Sequence, residues 1–183
     1  MSLHPSAHDL DVPGGFMADA QLNFVRQQGF ENASAHTCGL QYSALMFQPR
    51  IVGLFVLVAV LLQSAPLFLA LSAVLWVSVL LPGLNPFDAL YNRLVATPSK
   101  RPPLMPAPRP RRFAQGMAAT FMLLIGLALR AGWETAAWVL QALLILALAA
   151  LTLGAFCLGS YVFHLVIGRA DFARRTTPWA RSG

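Results

Sequence analysis

The chain has 183 residues, of which 57% are hydrophobic and only 11% charged, with a net charge of +6 and a mean hydropathy of +0.61. A soluble domain carries about 25% charged residues, so this composition excludes an ordinary soluble globule. The positive charge gathers in the segments that flank apolar runs, which argues against a nucleic-acid footprint and makes the lipid bilayer the first expected partner.

Residues 1–47 read as a cytoplasmic or interfacial extension. Their start, Met-Ser-Leu-His-Pro, lacks the basic stretch and apolar core of a signal peptide, so insertion is expected to depend on internal segments. Asp19–Phe30 sets Leu22, Phe24, Val25 and Phe30 among polar residues. That pattern suits a short amphipathic helix on a membrane surface, with a loosely structured tail as the alternative. Asn32-Ala33-Ser34 fits a glycosylation sequon but falls on the cytoplasmic side of the expected topology. Gln48-Pro49-Arg50 reads as a turn leading into the membrane.

Residues 48–84 form the first expected transmembrane hairpin. Ile51–Gln63 is short against the ~20 residues of a spanning helix, and reaches that length only with residues 47–50 or the turn residues included. Gln63-Ser64-Ala65-Pro66 reads as its turn, with Pro66 suited to the first turn of the next helix, which Pro82-Gly83 ends. Residues 85–112 form a cytoplasmic loop holding Arg93, Lys100, Arg101, Arg109, Arg111 and Arg112 against the single acid Asp88. Its prolines favour extended segments over a helix. Arg109, Arg111 and Arg112 make it a docking strip for acidic partners or lipid head groups, or else a stiff topology signal.

Residues 113–168 form the second hairpin. One helix runs from Phe113 to Leu129, Arg130-Ala131-Gly132 breaks it, and the last helix starts at Trp133 or Thr135 and continues to Ile167, long enough to demand tilt or a cytoplasmic extension. Gly154, Gly159 and Ser160 are its expected kink or close-packing points, and Gln141 is expected to hydrogen-bond to another helix. Residues 169–183 are a basic cytoplasmic tail. The expected fold is therefore an all-α membrane protein. Four transmembrane helices form two hairpins, with both termini and the N-terminal extension in the cytoplasm, as the lysine and arginine bias requires; two re-entrant hairpins with the same sidedness are the alternative.

Three segments carry a family resemblance. They are Asn85-Pro86-Phe87-Asp88-Ala89-Leu90-Tyr91-Asn92-Arg93-Leu94-Val95, Pro110-Arg111-Arg112-Phe113-Ala114-Gln115-Gly116 and Gly154-Ala155-Phe156-Cys157-Leu158-Gly159-Ser160-Tyr161. Over about residues 48–168 the chain resembles the bacterial membrane family known as domain of unknown function 4395. The resemblance implies a four-helix protein of a bacterial inner membrane. It also implies a Cys-x-x-Cys patch in the last helix, whose second cysteine is replaced here by Ser160. A one-turn cysteine pair can cycle between dithiol and disulfide; with Ser160 that local cycle is closed. Cys157 is left to pair with Cys38 or a partner's thiol, or to serve as a small buried apolar residue.

His164 is the one histidine inside an apolar run, and Ser160 lies one turn before it on the same face. Imidazole there can ligate a haem or chlorophyll-type pigment, or simply hydrogen-bond to a neighbouring helix. No zinc-binding helix motif, phosphate loop or glycine-framed serine occurs. The leading expectation is a non-catalytic membrane subunit, not an enzyme, that packs against other membrane-protein subunits of a larger complex, respiratory or photosynthetic being host classes. The alternatives are a thiol- or sulfur-linked protein using Cys157 and a pigment binder using His164.

Overall fold

A computed structural model describes residues 16–31, 35–101, 103–104 and 106–180, with the side chains of 16–18 and 35–40 outside the description. The sequon at Asn32-Ala33-Ser34 therefore lies outside the described residues, as does the side chain of Cys38. The described elements are all helical: α1 (Phe16–Gln27), α2 (Ala35–Leu61), α3 (Ala65–Leu80), α4 (Pro86–Tyr91), α5 (Arg109–Arg130), α6 (Glu134–Gly154), α7 (Leu158–Val166) and α8 (Ala170–Arg175). A wider helical turn, Asn92–Ala96, continues α4.

Three stretches are long and apolar enough to cross a membrane: Gln41–Leu61 of α2, Arg109–Arg130 of α5 and Glu134–Gly154 of α6. The apolar α3 is shorter, at 16 residues. By helix length and hydropathy the chain is a multi-pass membrane protein. Its core is the junction of α2, α3, α5 and α6, where Val56, Phe68, Met122, Ile125 and Leu144 are buried together. α3 packs along α5 more extensively than any other pair of helices meets. Gly126 permits that approach, since a Cβ there would sit 2.7 Å from the Leu69 side chain.

Several boundaries differ from those the sequence predicts. Gln48-Pro49-Arg50 is not a turn: α2 runs through Pro49, so the first apolar stretch reaches spanning length by taking in residues 47–50, one of the two ways the sequence offers. Proline removes one ladder hydrogen bond, a loss that membrane helices tolerate when neighbours serve the freed carbonyl. α5 begins at Arg109 rather than Phe113, with Pro108 in extended conformation before it and Pro110 in the first turn, where no N–H is needed. The last helix is two helices. Ala155 adopts a left-handed conformation, φ +50°, and closes α6; Cys157 precedes α7. Gly154 thus stands at the break, with nothing in the chain within 4 Å of a Cβ there, whereas a Cβ on Gly159 would lie 2.6 Å from Ala114 Cα of α5.

Local signals explain the other joints. Ser64 caps α3, its Oγ accepting from Leu67 N at 3.4 Å. Asn85 caps α4, its Oδ1 accepting from Phe87 N at 3.0 Å, and Pro86 takes the first helical position. The proline-rich strap is held by Asn92, whose side chain exchanges hydrogen bonds with the backbone of Leu104 at 2.7 and 3.3 Å.

α1 is helical as expected, and its apolar face packs inside the protein. Ala20, Phe24 and Val25 are buried in one cluster with Leu45, Met46 and Cys157. The tail packs on it too, since Asn23 Nδ2 donates to the carbonyls of Thr177 and Ala180.

The alternation of helix directions collects one end of the molecule. The start of α2, the end of α3, α4, the start of α5, α7 and α8 all meet there. The opposite end holds the two tight turns, Leu62–Ser64 and Ala131–Trp133. Near it Gln63 and Gln141 form a reciprocal amide pair, at 3.0 and 3.2 Å, that ties the first turn to α6.

Candidate functional site

At the collecting end, two of the motif segments meet around Gln48. Arg111 and Asp88 form a buried ion pair at 2.7 Å, with side chains 6% and 9% exposed. The second guanidinium nitrogen reaches the other carboxylate oxygen at 3.3 Å, so the pair is two-pronged. Gln48 Oε1 accepts from Arg111 at 3.0 Å, Gln115 Nε2 at 2.8 Å and Asn85 Nδ2 at 3.3 Å. Asn85 also donates to Asp88, at 3.0 Å. α2, α4 and α5 are therefore joined through one carboxamide oxygen.

This cluster resolves two local electrostatic conflicts. Basic residues in the first turn of a helix oppose its dipole, and Arg111 and Arg112 both stand there. The Asp88 carboxylate offsets the first. Arg112 instead donates to the Val79 carbonyl at 3.0 and 2.7 Å, serving one of the last carbonyls of α3, which its own helix leaves unbonded.

The structure thus separates the three candidate docking arginines. Arg111 is turned inward and spent on Asp88. Arg112 is half-buried on α3. Arg109 is exposed beside a groove of about 590 Å³ that Trp76, Phe113, Gly116 and Phe163 also line.

A second polar group joins α1 to α7. Gln27 Oε1 accepts from Cys157 N at 3.2 Å, and its backbone carbonyl faces His164 Nε2 at 3.1 Å. A carbonyl only accepts, so Nε2 carries the proton. His164 is 1% exposed, and its ring centroid lies 4.7 Å from that of Phe172, the two rings tilted by 57°. Burial holds its pKa below the ordinary value, partly offset by the Gln27 bond. Its Nδ1, the acceptor of this tautomer, is buried without a hydrogen-bond partner, and His164 lines neither the groove nor the cavity described below. Ser160, at the position of the second patch cysteine, donates to the Pro110 carbonyl at 3.4 Å. Nearby on the surface, Arg169 grips both oxygens of Glu31 at 2.5 and 3.0 Å and holds that carboxyl below its usual range.

Between the two groups lies a cavity of about 250 Å³. Gln28, Gln48, Arg111 and Gln115 form its polar part, Cys157 and Gly159 stand in its wall, and leucines of α6 with Phe121 line much of the rest. Gln115 Oε1 is buried without a hydrogen-bond partner. Among the described residues no three His, Cys, Asp or Glu side chains group as metal ligands.

The motif segments therefore converge on one end of the bundle and surround one cavity. The profile of Domain of unknown function (DUF4395) matches residues 43–167. The chain belongs to this family. The match takes in Gln48, Asn85, Asp88, Arg111, Gln115, Cys157, Ser160 and His164, and leaves out Gln27. Neither a curated protein nor a solved structure matches the chain.

Sequence reasoning singled out Arg111, Cys157, Ser160 and His164 as individual candidates. It missed Gln48, hidden in what reads as a turn, and Gln27, which carries no motif. Asn85-Pro86 was a usable signal, being a capping residue followed by proline at the first helical position. Asp88 was another, the one acid in a loop of six basic residues.

Proposed function

We propose that this DUF4395 protein is a non-catalytic integral membrane subunit that packs against and steadies a larger membrane complex. In this reading α2, α3, α5 and α6 all cross the bilayer, and both termini and the 85–112 segment lie in the cytoplasm. The observation that carries it is the state of α6. Only 17% of its apolar stretch is buried, against 39% for α2 and 33% for α5. One face of α6 presents Trp138, Ala142, Leu146, Ala149 and Leu153, and Leu153 is 82% exposed. Lipid covers leucine as well as protein does, so association in the membrane depends on close packing. Ala142 and Ala149 give that face the small residues on which a partner helix can seat.

Gentle extraction from the native host followed by native mass spectrometry tests this reading. Larger partners should accompany the protein in fixed stoichiometry, and Ala142→Phe should release them without unfolding the chain. A clean monomer from the unmodified protein overturns it.

A second reading, a thiol-linked role, is favoured by the position of Cys157 in the cavity wall, where a small apolar reagent can approach it. Cys157→Ser should then alter a thiol-dependent phenotype of the host; an unreactive Cys157 with a neutral serine variant sinks the idea.

A further inference from the structure

The cavity between α2, α5, α6 and α7 has a composition that the packing of the bundle does not require. Most of its wall is apolar, drawn from Leu45, Val52, Phe121, Leu144 and Leu148. A dry space of about 150 Å³ suffices for a benzene-sized guest, and this one measures about 250 Å³. At one end stands the carboxamide of Gln115, which is 8% exposed. Its Nε2 is committed to Gln48, while its Oε1 has no donor. A buried acceptor without a donor is costly, by an amount similar to a lost hydrogen bond, and buried polar atoms in folded proteins are rarely left so.

The chemistry of a fitting guest follows from the wall. Its head must donate a hydrogen bond to Gln115. It must also be neutral, because Arg111 already spends its charge on Asp88 and Gln48, leaving no free cation for a phosphate or carboxylate. Its body must be apolar and slender. The exposed Leu143 and Leu158 stand at the rim of the cavity, so the remainder of a longer chain can pass between them into the lipid phase.

We propose that this cavity is a binding site for a neutral, hydroxyl-headed lipid-phase molecule, a long-chain alcohol in chemical class, whose hydroxyl donates to Gln115 and whose chain lies along α5 and α6. The site is independent of any partner on the outer face of α6.

The test uses the full-length protein in lipid nanodiscs and a decanol analogue carrying a diazirine. Illumination should place adducts on cavity residues such as Phe121, Leu144 or Leu148. Decanol should displace the label about fivefold better than decane, the factor expected of one buried neutral hydrogen bond. Decyl phosphate should not displace it. Gln115→Leu should erase the advantage of decanol over decane while both still compete. Ala147→Phe, which fills the cavity from the α6 wall away from the polar cluster, should abolish labelling and keeps the proposal testable if the Gln115 variant does not fold.

Equal competition by decanol and decane in the unmodified protein would mean an apolar void whose amide is served by water, and would overturn the proposal. Label scattered over outward residues such as Leu146 and Leu153 would do the same. So would preferential displacement by decyl phosphate, or a decanol preference that survives Gln115→Leu.

Discussion

Arg111 illustrates how the same residue type changes meaning with its surroundings. Six basic residues in one loop suggest a solvated strip, yet Arg111 is buried against Asp88, with Gln48 and Asn85 completing the set. Removing one member of a buried pair leaves the other charged and unpaired, which costs about 3–5 kcal/mol, whereas replacing both by apolar groups is often nearly neutral. Arg111→Met and Asp88→Leu should each lower stability by about that amount. The double variant should recover most of the loss, as chemical unfolding in detergent would show; additive losses would mean the pair is not coupled. His164 makes a second prediction at this scale. Its folded pKa lies below the ordinary 6.5 because burial excludes the charged form and Arg169 disfavours it further, while the Gln27 carbonyl and Glu31 act in the opposite sense. Below pH 6.5 the unfolded chain takes up a proton that the folded chain refuses, so stability falls as pH drops through that window. Melting curves at pH 7.5 and pH 5.5, chosen to lie about one unit either side of the ordinary value, should show a larger acid loss for the unmodified protein than for His164→Gln.

At the scale of elements, the glycines of the last hairpin separate. Gly159→Ala pushes a methyl onto the Ala114 backbone, at 2.6 Å, and should cost about 1–3 kcal/mol, the range for overpacking. Gly154→Ala meets open space and should be neutral or stabilise by about 0.5–1 kcal/mol, as alanine does in place of glycine in a helix. Thermal unfolding of the two variants side by side decides this, and equal effects would mean that α5 and α7 do not approach as described. The sequence distinguished neither role, because both glycines sit in one apolar run with no charge or proline between them. The break that separates them falls at Ala155, a residue with no preference for left-handed backbone. The joints that were legible, Ser64-Ala65-Pro66 and Arg130-Ala131-Gly132, carry capping residues, proline or glycine that act locally. Pro49 misled for the converse reason. Its local effect is to break a helix, and only the helices packed around it reveal that α2 continues. The polar cluster was legible only in part: Asn85, Asp88, Arg111 and Gln115 stand in the segments that carry the family resemblance, while Gln48 lies far from them in sequence and is joined to them by the fold alone.

For the whole molecule, the geometry sharpens the question of sidedness. Arg93, Lys100, Arg101, Arg109 and the basic residues of α8 belong to the end where α4, α7 and α8 collect, whereas the two turns at the other end hold Arg130 and Glu134. Trp133 and Trp138 are exposed near those turns, as interfacial tryptophans are. The weak element in a four-span arrangement is α3. Its 16 residues rise about 24 Å at 1.5 Å per residue, against a hydrocarbon core of about 30 Å. Either the bilayer thins around it or its turn stops short of the far surface. Single cysteines at Arg101, Leu62 and Trp133, in a chain with Cys38 and Cys157 replaced by serine, distinguish the two. If all four helices cross, a membrane-impermeant maleimide applied to intact cells should label Leu62→Cys and Trp133→Cys but not Arg101→Cys, and inverted vesicles should give the opposite pattern. If α2 and α3 form a re-entrant pair, Trp133→Cys keeps its outward labelling while Leu62→Cys, held within the hydrocarbon, labels from neither side. Leu62, in the turn that joins α2 to α3, therefore reports on both helices of the first hairpin at once.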